Sequence, residues 1–267
     1  MVACGWGPYD SAALLHASMN TLTPSFVTAL QLIVSFDAAL WSIVARSLAV
    51  SATACAISFG AGLGLGAWLG VARFRGRGAV LLVLNTLLAM PSVVVGLLVY
   101  LLLSRSGPLG WLGWLFSFQA MVLAQAVLVL PVVTALTRQT VEDAERAYGE
   151  QLQSLGAGRL LRSLLLAWDT RLALFTVLVA AFGRAISEVG AVMIVGGNVD
   201  GFTRVMPTAI ALESIKCDLP LALALGTVLL AVVLALHASV ALLQRWVSRR
   251  DAAHGAAALS LVAGAAA

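Results

Sequence analysis

The sequence predicts an all-α polytopic membrane protein with about five transmembrane helices and a short interfacial helix before them. Three observations carry this. Of 267 residues, 61% are hydrophobic and 10% charged, where an ordinary soluble domain has about 25% charged, and the mean hydropathy is +1.00. Polar side chains are too few to cover a globular surface. Apolar runs of bilayer-spanning length recur along the chain. The intervals between them hold the charge, and Arg is concentrated in alternate intervals.

Residues 1–40 form an N-terminal segment. Up to Pro24 it is weakly patterned, and either Met1 or Met19 serves as a start. The first 45 residues hold no Lys or Arg, so no secretory signal with a basic leader is expected. Residues 25–36 are about half the length that spans a bilayer. Phe26, Leu30, Ile33 and Val34 cluster opposite Gln31, which predicts an interfacial helix.

The membrane domain is predicted over 41–250. Its first span, 41–71, carries Arg46 near the outer end, from where the side chain is expected to snorkel to the interface. Gly62, Gly66 and Gly70 place a smooth strip on one face, fit for close helix approach. The run GAGLGLG lacks GxGxxG and follows no strand, so packing explains it better than nucleotide binding. After the loop RFRGRG comes a span at 79–103, where Pro91 predicts a kink. The spans 115–137, 171–196 and 221–243 follow, and the Ala-rich tail at 251–267 is expected to be disordered.

Between the third and fourth spans, 138–170 holds nine of the 28 formal charges. Val141, Ala144, Tyr148, Leu152 and Leu155 recur at helical steps and share a face. Gly156 and Gly158 are expected to break that helix and let a second begin at Arg159. Two amphipathic helices at a glycine elbow suit docking to a soluble partner. With this interval placed in the cytoplasm, eleven Arg lie inside and two Arg and Lys216 outside. That predicts the N-terminus outside and the C-terminus inside.

Cys4, Cys55 and Cys217 form no CxxC, and His16, His237 and His254 are scattered, so neither a zinc site nor a disulfide framework is predicted. No basic stripe suits nucleic acid. No GxxxxGK[ST] loop is present for ATP. No Asp pair, HExxH or Ser/His constellation lies inside a span, which argues against an intramembrane enzyme.

In the fourth span Arg184 and Glu188 are four residues apart at membrane depth, where ionisable groups face a cavity or a partner. They are placed to neutralise each other. That pair either holds helix packing or lines a path, and the two readings are compatible. Gly196-Gly197-Asn198 ends the span with C-cap chemistry. Beyond it, Asn198, Thr203 and Arg204 are donors that could receive a tetrahedral dianion, or else hold an ordinary capped turn. Glu213 and Asp218 are expected to meet solvent or a partner protein.

The polar interval resembles the EAA loop of binding-protein-dependent ABC transporter permeases. Glu150 takes the Glu position, Gly156 the Gly position and Leu166 the later apolar position, and LGAGR (155–159) is typical. The Glu-Ala-Ala reads Glu150-Gln151-Leu152, and the Leu-Pro reads Trp168-Asp169. The segment 182–213, FGRAISEVGAVMIVGGNVDGFTRVMPTAIALE, resembles tungstate-type permeases. Molybdate and sulfate permeases usually have Gly-Glu-Phe-Gly where this chain has Ser187-Glu188-Val189-Gly190. LVLNTLLAMPSVVVGLLVYLLLSRSGPLG (82–110) and MVLAQ (121–125) agree, so the resemblance covers about 25–250.

The resemblance implies the type I ABC importer transmembrane fold, in the bacterial or archaeal cytoplasmic membrane. It implies a homodimer, two separate ATPase subunits that hold ATP and Mg, and an extracytoplasmic binding protein. No cofactor is expected on this chain. Tyr148, Glu150, Leu152, Leu155, Gly156, Ala157, Gly158 and Arg159 would couple to the ATPase. Arg184, Ser187, Glu188, Gly190, Asn198, Thr203 and Arg204 would line the path or gate. Tungstate is the expected cargo; molybdate or sulfate is the alternative, and a channel or passive carrier without an ATPase a more distant one.

Overall fold

The computed structural model describes residues 27–216 and 218–265, without the side chains of Leu243 and of 246 onward. The expectations for residues 1–24, for Cys217 and for the side chain of His254 lie outside the described residues. Among the described residues, every regular element is helical. A short helix α1 covers 27–34, within the predicted interfacial segment. Phe36 turns the chain and stacks on Trp41, with ring centroids 5.4 Å apart. Asp37 then caps α2 (Ala38–Val71) by accepting from the Leu40 N–H at 2.9 Å.

α2 and α5 (Phe118–Ser154) form the central pair. The glycine strip of α2 makes their approach possible. A Cβ on Gly66 would stand 2.7 Å from both the Thr134 carbonyl oxygen and Thr137 Cβ; on Gly62 it would meet Val133 at 2.9 Å, and on Gly70 Val141 at 3.0 Å. Two of the obstacles at Gly66 are backbone atoms, which cannot rotate away. Gly66→Val is therefore expected to destabilise the chain by about 1–3 kcal/mol, as overpacking does. Gly64→Val, where nothing lies within 4 Å, is the control. Thermal unfolding of the two variants in detergent checks this.

The predicted kink at Pro91 is a break. α3 (Arg77–Leu88) and α4 (Ser92–Leu103) meet at 98°. Pro91 has no N–H and steers Met90 out of the helical region. The third span does not stop near 137. α5 runs 37 residues through Pro131 into the charged interval, about 55 Å long. Hence the first of the two helices expected in 138–170 is the far end of a span, and only α6 (Arg159–Asp169) is separate.

The fourth span is also divided. α7 (Arg171–Ile186) is 16 residues, about 24 Å and short of a bilayer core of about 30 Å. After a break at 187–189 comes α8 (Gly190–Gly196). A short α9 (Met206–Lys216) precedes α10 (Leu219–Ala265). The backbone stays helical to Ala265, past the expected start of a disordered tail at 251. Among the described residues, three helices are long and apolar enough to cross a membrane, and up to five spans result if the bent pairs α3–α4 and α6–α7 (Arg159–Asp169 with Arg171–Ile186, 75° apart) each count as one.

Candidate coupling surface and broken-span site

Gly156 ends α5 with φ +79. Its N–H donates to the Gln153 carbonyl at 3.0 Å, and the Ala157 N–H donates to the Leu152 carbonyl at 3.0 Å. These two bonds form a Schellman motif, which needs a left-handed residue where Gly156 stands. Gly158 differs: its φ is −69 and it is the N-cap of α6, so only Gly156 uses glycine's freedom at the elbow.

The elbow folds α6 back along α5 and the end of α2. Leu166, at the apolar position of the EAA-like pattern, is 2% exposed and packs with Val71, Val141, Ala144 and Ala167. The opposite face of α6, with Leu161, Leu165 and Trp168, is exposed. The stripe on α5 is divided in the same way: Val141 and Ala144 are buried, while Tyr148 is exposed and Leu155 is 82% exposed. Tyr148, Leu152, Leu155, Leu165 and Trp168 line a groove of about 570 Å³ between the two helices.

Glu150 and Arg159 lie around the corner in a polar cavity of about 350 Å³ with Arg73 and Arg146. At its floor the Glu145 and Arg162 side chains, each 11% exposed, pair at 3.0 Å and join α5 to α6. Gly149 leaves room for this pair, since a Cβ there would lie 2.8 Å from the Glu145 carboxyl carbon. Nearby, beyond the apolar part of α5, Glu142 accepts from Arg77 (3.0 Å), Arg146 (3.2 Å) and Arg138. Burial raises its pKa, but the bond and charge of Arg77, helped by Arg138 and Arg146, outweigh this and hold it below the ordinary value.

The second group surrounds the broken span. Arg184 Nη1 lies 3.3 Å from Glu188 Oε2, with side-chain exposures of 48% and 6%. The two are not on one helix: Arg184 is in the last turn of α7, and Glu188 lies in the break. The other Glu188 oxygen accepts from the Ala191 N–H at 3.3 Å, at the start of α8. The Ser187 hydroxyl reaches back to the Gly183 and Arg184 carbonyls. A Cβ on Gly190 would lie 2.8 Å from Ser92 Oγ, so the two broken spans meet at their breaks. Such backbone survives at membrane depth only where protein or a cavity surrounds it.

Glu188→Ala removes the acceptor for both Arg184 and Ala191. It is expected to lower stability by about 1.5–3 kcal/mol, the range for bonds to charged groups. Glu188→Gln, which keeps an acceptor for Ala191, should lose less. Melting curves of the two variants, run beside the parent, check the order.

Asn198, Thr203 and Arg204 hold the loop between α8 and α9 together. Asn198 bonds the Thr208 carbonyl and hydroxyl. The buried Thr203 hydroxyl donates to Gly196 and accepts from the Val199 N–H. Arg204 pairs with Asp200 at 3.2 Å and approaches Glu213 at 3.9 Å. The guanidinium of Arg46 donates to the Gly201 and Arg204 carbonyls at 2.8 and 3.2 Å. Ser47 accepts from the Met206 N–H at 2.7 Å. Glu213 is buried and paired with Lys216 at 3.0 Å, contrary to the expectation that it meets solvent or a partner.

Three participants escaped the sequence reading: Glu145, Arg162 and Gln125. The buried Gln125 donates from Nε2 to the Ala185 carbonyl at 3.0 Å, bracing the end of α7 from α5. An amide inside an apolar span was the available signal for it.

A family model described as "Binding-protein-dependent transport system inner membrane component" matches residues 62–250. The chain is 42% identical over 226 residues to the tungstate uptake system permease protein TupB of Peptoclostridium acidaminophilum, covering 85% of this chain and 99% of the relative. It is 42% identical over 204 residues to a probable anion ABC transporter permease protein of Haloferax volcanii, covering 74% and 88%. To the molybdenum transport system permease protein ModB of Escherichia coli K12 it is 33% identical over 178 residues, covering 63% and 77%.

Proposed function

This chain belongs to the family of binding-protein-dependent transport system inner membrane components, and from that premise we propose that it is the permease subunit of an ABC importer for tungstate. The observation that carries the choice of anion is similarity along 85% of the chain. A tungstate permease matches at 42% over 99% of its length. A molybdenum permease matches at 33% over 77%, and a sulfate permease at 30% over 68%. The Ser187-Glu188-Val189-Gly190 stretch supports the same reading.

In this reading the chain hydrolyses nothing itself. Two separate ATPase subunits bind ATP and Mg. Each receives the end of α5 and the outer face of α6, whose apolar residues suit a helix laid in a groove. Glu150 and Arg159 form the charged rim, and the Schellman turn at Gly156, with Ala157 and Gly158, sets the angle of α6. The cytoplasmic side holds this elbow, so the N-terminus lies outside and the C-terminus inside.

Two copies about a two-fold axis enclose the path. The broken spans line it, with Arg184, Ser187, Glu188 and Gly190 at the gate. Asn198, Thr203 and Arg204 hold the loop that faces the binding protein. Closure of the ATPases pulls on α5 and α6, and the bundle rocks between inward-open and outward-open.

The anion is tested on the cognate binding protein by calorimetry with tungstate, molybdate and sulfate. Tungstate binding at least about 1.4 kcal/mol, or tenfold, tighter than the other two is expected. Sulfate or molybdate in first place would overturn the assignment of cargo.

A further inference from the structure

α2, α3 and α5 diverge around a cleft of about 410 Å³ whose walls include none of the residues assigned above to coupling or to the gate. Leu65, Trp68, Val83, Leu87, Val127 and Leu130 are among its walls. The Thr134 hydroxyl, which also lines it, is turned to the Leu130 carbonyl at 2.8 Å. The walls therefore offer hydrocarbon almost throughout. A groove of this kind on a membrane-embedded bundle takes a flexible chain from the bilayer, because water gains nothing there.

The cleft has a marked end. Trp68 stacks on Phe74, with ring centroids 5.4 Å apart and planes 27° from parallel. Trp rings are enriched where hydrocarbon gives way to headgroups. Phe74 belongs to the turn between α2 and α3, which carries Arg73 and Arg75 and no acid, and Arg77 opens α3. Arg77 is committed to Glu142 and to the Leu69 carbonyl. Arg75 is exposed and makes no hydrogen bond or ion pair among the described residues; Arg73 makes none either and borders the polar cavity.

We propose that this cleft is a binding site for an anionic phospholipid, with an acyl chain along α2, α3 and α5 and the phosphate at the arginine turn. The apolar walls select a chain, the Trp68–Phe74 pair sets the depth, and the uncommitted Arg73 and Arg75 select the charge. The site requires only that the chain lie in a bilayer, so it stands or falls separately from the choice of cargo.

The assembled transporter is reconstituted in nanodiscs of phosphatidylglycerol and phosphatidylcholine with identical acyl chains. Native mass spectrometry after detergent release then reads the lipids retained. The parent should keep phosphatidylglycerol about tenfold over phosphatidylcholine. Arg73→Gln with Arg75→Gln should erase that preference without touching α2 or α3. Val83→Trp, which fills the cleft, should lower retention of both lipids. Equal retention of the two lipids by the parent, or an unchanged preference in the double arginine variant, would overturn the site. Loss of the dimer in Val83→Trp would assign the cleft to a second copy instead, and binding of inorganic phosphate at the turn with no retained lipid would leave it a free-anion site; either result overturns the proposal.

Discussion

Gly156→Val is expected to leave the chain inserted and assembled but to cut ATP-driven uptake about tenfold or more. The reason is conformational rather than steric. Nothing lies within 4 Å of a Cβ built at Gly156, yet its φ of +79 belongs to the left-handed region. A side chain held there costs about 1–2 kcal/mol, and a β-branched one sits at the upper end. That is enough to shift the elbow about tenfold toward other geometries. α6 then no longer presents Leu161, Leu165 and Trp168 at a fixed angle. Gly156→Asn, which tolerates this backbone, should keep most of the uptake. Gly158→Ala, at φ −69, should keep nearly all of it. Uptake in proteoliposomes, set beside the amount of complex recovered, reads all three.

The largest effect on stability is expected from Glu145→Ala. It strips the carboxylate from a guanidinium that is 11% exposed between α5 and α6 and leaves it only long bonds, at 3.4 Å, to the Gly149 carbonyl and Gln153. Leaving one member of a buried pair uncompensated costs about 3–5 kcal/mol. The pair itself adds little over a well-packed apolar substitute, so Glu145→Met with Arg162→Leu should recover most of the loss. Thermal unfolding of the single and double variants gives the comparison. A single variant as stable as the parent would mean that water reaches Arg162 and the elbow is not closed there.

Much of this was legible in the residues. Hydropathy found the apolar runs, because a span needs length more than pattern. The spacing of Gly62, Gly66 and Gly70 gave the face of α2 on which α5 lies. The elbow at Gly156 was visible because few residues other than glycine take its backbone. What stayed hidden was continuity and partnership. Hydropathy falls sharply after Thr137, yet the backbone of α5 continues through the charged residues, since helix formation is indifferent to whether its side chains meet lipid or water. The pairing of Glu145 with Arg162 joins residues 17 apart and depends on the angle of the elbow. The Arg184–Glu188 pair was legible from its spacing, but the break between the two was not, because the stretch 187–189 holds no proline. Likewise, Arg46 read as a snorkelling side chain, Arg204 as a donor for an anion or a capped turn, and Glu213 as a contact to solvent or a partner, until the fold brought their partners to them.

The central claim is that the chain moves an oxyanion only as part of an ATP-driven machine. The direct measurement is uptake of radiolabelled tungstate into proteoliposomes that contain the assembled permease and ATPase subunits, with binding protein added outside and ATP enclosed. Accumulation against the gradient, absent without ATP or without the binding protein, is the predicted result. Tungstate that equilibrates across the membrane at the same rate with and without ATP would contradict it.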